Sequence, residues 1–259
     1  MRLKKKLRIT IITVSYNSEK TLNTTLKSVQ NQNYRNIEHI IVDGASSDKT
    51  LSIVKKFPYI KKIISEKDKG IYDAMNKGLK IATGDIICFL NSDDFYASKN
   101  VLNSVNQIFI NNPTIDACYS DLIYVDSLNT SKIIRYWKSS NFNFGAFAKG
   151  WCPPHPTFFA RRSVYERFGN FDLNYLIASD VELMMRLLEV QKINVRYIPE
   201  LWIKMRLGGT TNKNFKNIVM QNKEVLNALK NHNLSVNWIS FFVHKIINRS
   251  LQYLKRINI

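Results

Sequence analysis

Arg8 to Val14 reads RITIITV, a β-branched and almost wholly apolar run closed by the polar Ser15-Tyr16-Asn17-Ser18. A short continuous apolar run that ends in turn residues predicts a strand buried on both faces. Asn17 or Ser18 is placed to cap a helix, because from Glu19 to about Gln32 the apolar Leu22, Leu26 and Val29 recur at helical spacing. Ile37 to Val42 (IEHIIV) restores the strand pattern, so the opening segment reads as a β-α-β unit. The alternation continues with a short helix near Lys49 to Phe57, a strand at Lys61 to Ser65, a helix at Ile71 to Ala82 and a strand at Asp85 to Leu90. Four buried strands with intervening helices predict a parallel, doubly wound sheet. Ligands of such sheets bind beyond the carboxyl ends of the strands, where this sequence carries Tyr16-Asn17, Asp43 and Asn91-Ser92-Asp93-Asp94.

After a helix near Asn100 to Asn111 the pattern becomes mixed. Strand-like segments appear at Ile115 to Ser120 and Ile133 to Trp137, then a turn at Pro153-Pro154-His155-Pro156 and a further strand at Thr157 to Ala160. Asp180 to Glu189 reads as a helix, followed by strands at Val195 to Ile198 and Leu201 to Met205 and a flexible turn at Gly208-Gly209. Beyond Thr211 two helices are predicted, with eight Lys or Arg and a single acid, Glu224.

Composition narrows the picture. The 259 residues are 45% hydrophobic and 12% aromatic, enough for a substantial core of one large domain or two small ones. Thirty-eight Lys plus Arg against 20 Asp plus Glu leave a formal charge of +18, a field that attracts phosphates, nucleic acid or anionic lipid. Cys88, Cys118 and Cys152 are odd in number and widely spaced, which fits neither a disulfide framework nor a zinc site. No run reaches the length of a membrane span, and the apolar run after the basic start has no cleavage site, so a cytosolic protein is expected.

The strand ends carry the candidate chemistry. Asp93 and Asp94, on a turn beyond a buried strand, suit Mg²⁺ or Mn²⁺ shared with a diphosphate, because hard cations need few protein oxygens when phosphate supplies others; a plain strand-terminal turn is the alternative. Asp43, followed by Gly44-Ala45-Ser46-Ser47-Asp48, serves either an Asx-type turn or a nucleoside pocket completed by Tyr16. Neither a Walker loop nor a G-x-G-x-x-G motif is present, which removes P-loop and dinucleotide-binding readings.

With these residues in order, the chain from about Ile9 to Thr211 resembles a family 2 glycosyltransferase of GT-A fold, the class that builds bacterial surface polysaccharides and O-antigens. The resemblance rests on Val14-Ser15-Tyr16-Asn17, the segment Val42 to Asp48, the segment Asp68-Lys69-Gly70-Ile71-Tyr72-Asp73-Ala74-Met75-Asn76-Lys77-Gly78, Phe89 to Asp94, and Ser179-Asp180. It implies a Rossmann-like, mostly parallel sheet flanked by helices. The expected division is a catalytic domain over 1–210, with donor half 1–98 and acceptor half 99–210, and a helical extension over 211–259.

By the same resemblance Val14, Tyr16, Asp43, Asp68, Asn76, Asn91, Ser92 and Asp93 border the donor. Asp93, with Asp94, holds a divalent metal, although Asn91 replaces the first acid of the D-x-D motif. Asp180 is the expected base of inverting transfer, taking the acceptor hydroxyl's proton; its alternative role is a helix cap. His155 and Arg206 are candidates for the diphosphate or the acceptor, the latter on a loop whose glycines act as hinges; a structural histidine and a plain strand-to-helix turn are the alternatives. The implied donor is a UDP-sugar and the implied acceptor a polyprenyl-diphosphate-linked saccharide. The basic apolar C-terminal stretch from Trp238 to Arg256, with Arg2, Lys4, Lys5, Lys6 and Arg8, is expected to hold the enzyme on the anionic inner face of the bacterial cytoplasmic membrane; packing on the catalytic domain or in a dimer is its alternative role. A donor-binding pseudoenzyme, prompted by Asn91, and a basic nucleic-acid-binding protein are the alternatives.

Overall fold

The structure, a computed structural model, describes residues 6–208 and 215–254. The expectations for Arg2, Lys4, Lys5, Gly209, Thr210, Thr211, Lys255 and Arg256 fall outside the described residues. The first half alternates as the pattern predicts: β1 (Ile9–Ser15), α1 (Leu22–Gln30), β2 (Ile37–Asp43), α2 (Thr50–Val54), β3 (Lys62–Ser65), α3 (Ile71–Ile81) and β4 (Ile86–Phe89). The strands run parallel in the order β3-β2-β1-β4. β1 divides its side chains between two layers: Ile12 and Val14 meet Met75 and Leu79 of α3, whereas Ile9 and Ile11 face the opposite core with Val29 of α1. β3 is not fully buried; it is the sheet's edge strand and its residues alternate between half-buried and exposed. Nor do Asn17 or Ser18 cap α1 with a side chain, since Thr21 holds the cap position. Asn17 instead adopts a left-handed conformation and accepts the Ser47 N–H, tying the loop after β1 to the loop after β2.

The second half is mixed, as its irregular pattern implied. It comprises β5 (Phe95–Tyr96), α4 (Val101–Asn111), β6 (Ala117–Val125), β7 (Ile133–Trp137), β8 (Phe159–Arg161), α5 (Arg162–Phe168), α6 (Ser179–Met185) and β9 (Val195–Arg206). β8 is antiparallel to both β4 and β6, β9 is parallel to β6, and β7 returns antiparallel along the far end of β6. The two short strands expected around Pro199 form one strand, because register shifts against β6 absorb the proline. α6 continues through a π-helical turn at Arg186–Val190.

α7 (Phe215–Asn231) and α8 (Trp238–Leu254) complete the chain. They join the main core through Val225, Ala228, Leu229 and Phe241. Gly150 lets α8 come close: its φ is +69°, and a Cβ there would lie 3.0 Å from Lys245 Cβ and 3.1 Å from the Phe241 carbonyl oxygen.

Candidate active site

A cleft of about 1180 Å³ opens at the carboxyl ends of β1 and β4 and is bounded elsewhere by β7, α6 and α8. The expected Val14, Tyr16, Asp68, Asn91, Ser92, Asp93, His155 and Asp180 all line it. Tyr16 is 67% exposed on the loop after β1. Gly44 brings two cleft walls together, because a Cβ there would sit 2.6 Å from Asp68 Oδ2 and 3.4 Å from the Tyr16 ring. Ser92 is fixed from below: its carbonyl accepts the Thr25 hydroxyl at 2.9 Å and its own hydroxyl pairs with that of Ser18 at 2.8 Å.

Four expected residues stand behind the cleft instead. Asp43 is fully buried, and its carboxylate accepts the hydroxyls of Ser15, Ser46 and Ser65 and the Ser46 N–H. It shapes the loop on which Gly44 lies. Asn76 is consumed in holding the loop before α6, donating to the Phe171 carbonyl and accepting the Phe171 N–H. Asp94 is fully buried and turned from the cleft, and burial beside Asp93 pushes its carboxyl well above the usual range. Arg206 ends β9 rather than riding on a mobile loop; its guanidinium donates to the Asp93 carbonyl at 2.5 Å and lies 5.0 Å over the Phe95 ring. It supports the Asp93 turn from beneath.

Among the described residues no three His, Cys, Asp or Glu side chains gather to hold a metal by themselves. The turn nevertheless offers hard oxygen donors, the Asp93 carboxylate and the Asn91 amide oxygen, and the latter has no hydrogen-bond partner. Burial raises the Asp93 carboxyl, a penalty that a cation relieves. So sparse a set fits Mg²⁺ or Mn²⁺, which keep several water or phosphate oxygens of their own.

Asp180 stands in the first turn of α6, within the cleft. The Tyr72 hydroxyl of α3 lies 2.9 Å from its Oδ1 and 2.8 Å from the Ile177 carbonyl. The segment just before Asp180 is clasped by Glu224 of α7, whose carboxylate accepts the N–H groups of Leu176, Ile177 and Ala178 at 3.0, 2.9 and 2.8 Å. In the sequence Tyr72 stands out only as part of the segment Asp68 to Gly78, and Glu224 only as the lone acid of a basic stretch. His155 is stacked on Phe89 with ring centroids 5.5 Å apart, and burial lowers its pKa against the opposing pull of Asp180. Its ring lines the cleft.

The chain matches the family model "Glycosyl transferase family 2" over residues 10–169. It is 32% identical over 184 residues to "Uncharacterized glycosyltransferase MT1564" of Mycobacterium tuberculosis (strain CDC 1551 / Oshkosh), spanning 69% of this chain and 68% of that protein. It is 24% identical over 257 residues to the UDP-Glc:alpha-D-GlcNAc-diphosphoundecaprenol beta-1,3-glucosyltransferase WfaP of Escherichia coli, spanning 96% and 98% of the two chains. Its fold follows that of the mannosyltransferase PcManGT from Pyrobaculum calidifontis, solved in complex with GDP-Man and Mn²⁺, with a TM-score of 0.64, 19% identity and coverage of 96% of this chain and 70% of that one. A mixed sheet flanked by helices, the motif residues brought to one cleft, and these matches agree: the chain belongs to glycosyl transferase family 2 and is a glycosyltransferase of GT-A fold.

Proposed function

We propose that this enzyme moves a sugar, with inversion, from a UDP-sugar to a hydroxyl of a lipid-linked, diphosphate-bearing saccharide in the synthesis of a bacterial surface glycan. The observation that carries this reading is the placement of Asp180 and Asp93 on one cleft, Asp180 held from two sides and Asp93 on a rigid turn. Asp180 takes the proton of the attacking hydroxyl, while Tyr16 and Asp68 border the nucleoside. A divalent cation held by Asp93, with Asn91, would neutralise charge on the departing diphosphate. The UDP-Glc and the diphosphoundecaprenol named for WfaP favour UDP and a lipid-linked acceptor.

Among the described residues no helix is long and apolar enough to cross a membrane. α8 instead exposes Trp238, Ile239, Val243 and Ile246, with Ile239 78% and Ile246 65% exposed, and no acid follows Glu224 in the sequence. This face rests on an anionic lipid surface, apolar side chains in the interface and basic charge attracting the headgroups. Vesicle sedimentation tests it: Ile239→Glu with Ile246→Glu abolishes binding, and unchanged sedimentation refutes it.

The catalytic reading is tested by titrating UDP, GDP, CDP and dTDP with and without Mn²⁺. Metal-dependent binding of UDP, and loss of UDP-sugar turnover in Asp180→Asn with UDP affinity intact, are expected. Full turnover in Asp180→Asn removes the base assignment, and no UDP binding removes the donor assignment.

A further inference from the structure

A group of cations lines the cleft that the transfer chemistry leaves unused: Arg135 and Lys138 from the β7 segment and Lys245 and Arg249 from α8. We propose that these residues form the site that binds the diphosphate of the lipid-linked acceptor, an inference that rests on the acceptor class proposed above.

Arg135 is the anchor. It is only 6% exposed, its guanidinium lies 3.8 Å over the Tyr124 ring and 5.8 Å from that of Tyr253, and its Nε has no hydrogen-bond partner. Among the described residues no carboxylate lies within 4 Å of Arg135, Lys138 or Lys245. A buried cation with no counter-charge is costly unless an anion completes it, and a guanidinium stacked on an aromatic face still offers its N–H edge to paired phosphate oxygens.

Lys245 shows the same imbalance. Its ammonium spends one donor on Asn222 Oδ1 at 2.6 Å, and burial together with Arg249 one helical turn later disfavours its charge. Arg135 and Arg249 both act electrostatically on Tyr124, as does the buried Asp94 from the opposite side of the balance, which ties the residues of β7 and α8 into one cluster. The acids that line the cleft, Glu19, Asp48, Asp68, Asp93 and Asp180, all belong to other segments, and neither 133–140 nor 241–252 contains one. The cationic segments therefore carry no acid of their own and adjoin the proposed proton-transfer group, since Lys245 and Asp180 both act electrostatically on Cys152.

The position fits a diphosphate attached to a lipid. α8 supplies Phe241, Lys245 and Arg249 to the cleft and exposes Ile239, Val243 and Ile246 away from the core. An acceptor whose tail lies against the exposed face has its diphosphate at the cationic one, which leaves its saccharide towards Asp180. Discrimination comes from charge: a neutral glycolipid leaves Arg135 uncompensated.

The test uses the full chain saturated with UDP and Mn²⁺, with farnesyl diphosphate and farnesol as probes, read by quenching of Trp137 and Trp151, which line the cleft. Farnesyl diphosphate is expected to bind at least tenfold more tightly than farnesol, and Arg135→Gln or Lys245→Met to weaken it at least tenfold with UDP affinity unchanged. The double variant Lys138→Gln, Lys245→Met carries the same expectation should Arg135→Gln lose its thermal transition. Unaltered farnesyl diphosphate affinity in these variants overturns the proposal. So does a matching loss of UDP affinity, which would assign the cations to the donor, and so does an equal, variant-sensitive response to phosphatidylglycerol vesicles, which would make the site a general headgroup site. UDP binding by the parent protein reports separately on the donor reading.

Discussion

Glu224 is the residue through which the helical extension acts on the proposed base. Its carboxylate is buried and accepts three successive N–H groups, of which Leu176 bonds Oε1 and both Ile177 and Ala178 bond Oε2. In Glu224→Gln the amide oxygen keeps the two bonds at Oε2, while the amide nitrogen confronts the Leu176 N–H. Losing one charge-assisted hydrogen bond and the charge behind the others costs about 2 to 3 kcal/mol. For a chain of this size that lowers the melting midpoint by about 4 to 12 °C. The segment so loosened runs directly into Asp180, and a misplacement of about 1 Å costs on the order of a hundredfold in rate. The expected result is a fall in kcat of about 10- to 100-fold with the donor KM within about twofold, because Glu224 holds the base and not the nucleotide. UDP release at saturating acceptor measures kcat, and a thermal melt in parallel shows that the variant is folded. A kcat within about twofold of the parent, alongside the expected loss of stability, would refute the positioning role and leave Glu224 as a structural clasp only.

Further expectations concern the same framework. Tyr72→Phe removes a hydroxyl 2.9 Å from Asp180 Oδ1 and lowers kcat about tenfold without a change in UDP affinity; unchanged turnover removes that contact from the mechanism. Gly150→Ala forces a side chain into the Lys245 and Phe241 contacts at φ +69° and destabilises the α8 docking by about 1 to 3 kcal/mol, read by urea unfolding. His39, buried between Thr13 and Tyr59, has its pKa pulled down to about 3 by burial, so it stays neutral in the fold while the unfolded chain takes up a proton. Stability therefore falls as pH drops from about 6.5 towards about 3, by about 2 kcal/mol already at pH about 5; a flat urea-midpoint profile from pH about 7 to about 5 contradicts this. Burial opposes the charge of Glu38, but hydrogen bonds from Lys62, Thr10 and Thr83 outweigh it and hold the pKa down to about 2. Its contribution is complete above about pH 4.5 and is lost as pH falls towards about 2, so Glu38→Gln flattens the acid limb of unfolding in that window.

The alternation of the first half and the polar rim beyond its strands are legible in the sequence, whereas β5, α5 and the single long β9 are not. Runs such as RITIITV and IEHIIV cannot face water on either side, so they specify a covered parallel sheet, and its carboxyl ends carry the loops with Tyr16, Asn91 and Asp93. These are local properties, readable from alternation, turn residues and motif order. Tertiary structure alone decided which polar residues face the cleft. Arg206 meets the Asp93 carbonyl across 113 positions, Asn76 meets Phe171 across 95 and Tyr72 meets Asp180 across 108. Asp43 sits behind the cleft because three serines from separate segments converge on it. The same holds for the basic stretch after Thr211, whose charge was legible but whose division was not: Lys245 and Arg249 line the cleft while Ile239 and Ile246 remain exposed. Periodicity reports that a helix has two faces, whereas which face meets protein depends on a partner such as Gly150, whose missing side chain lets α8 approach.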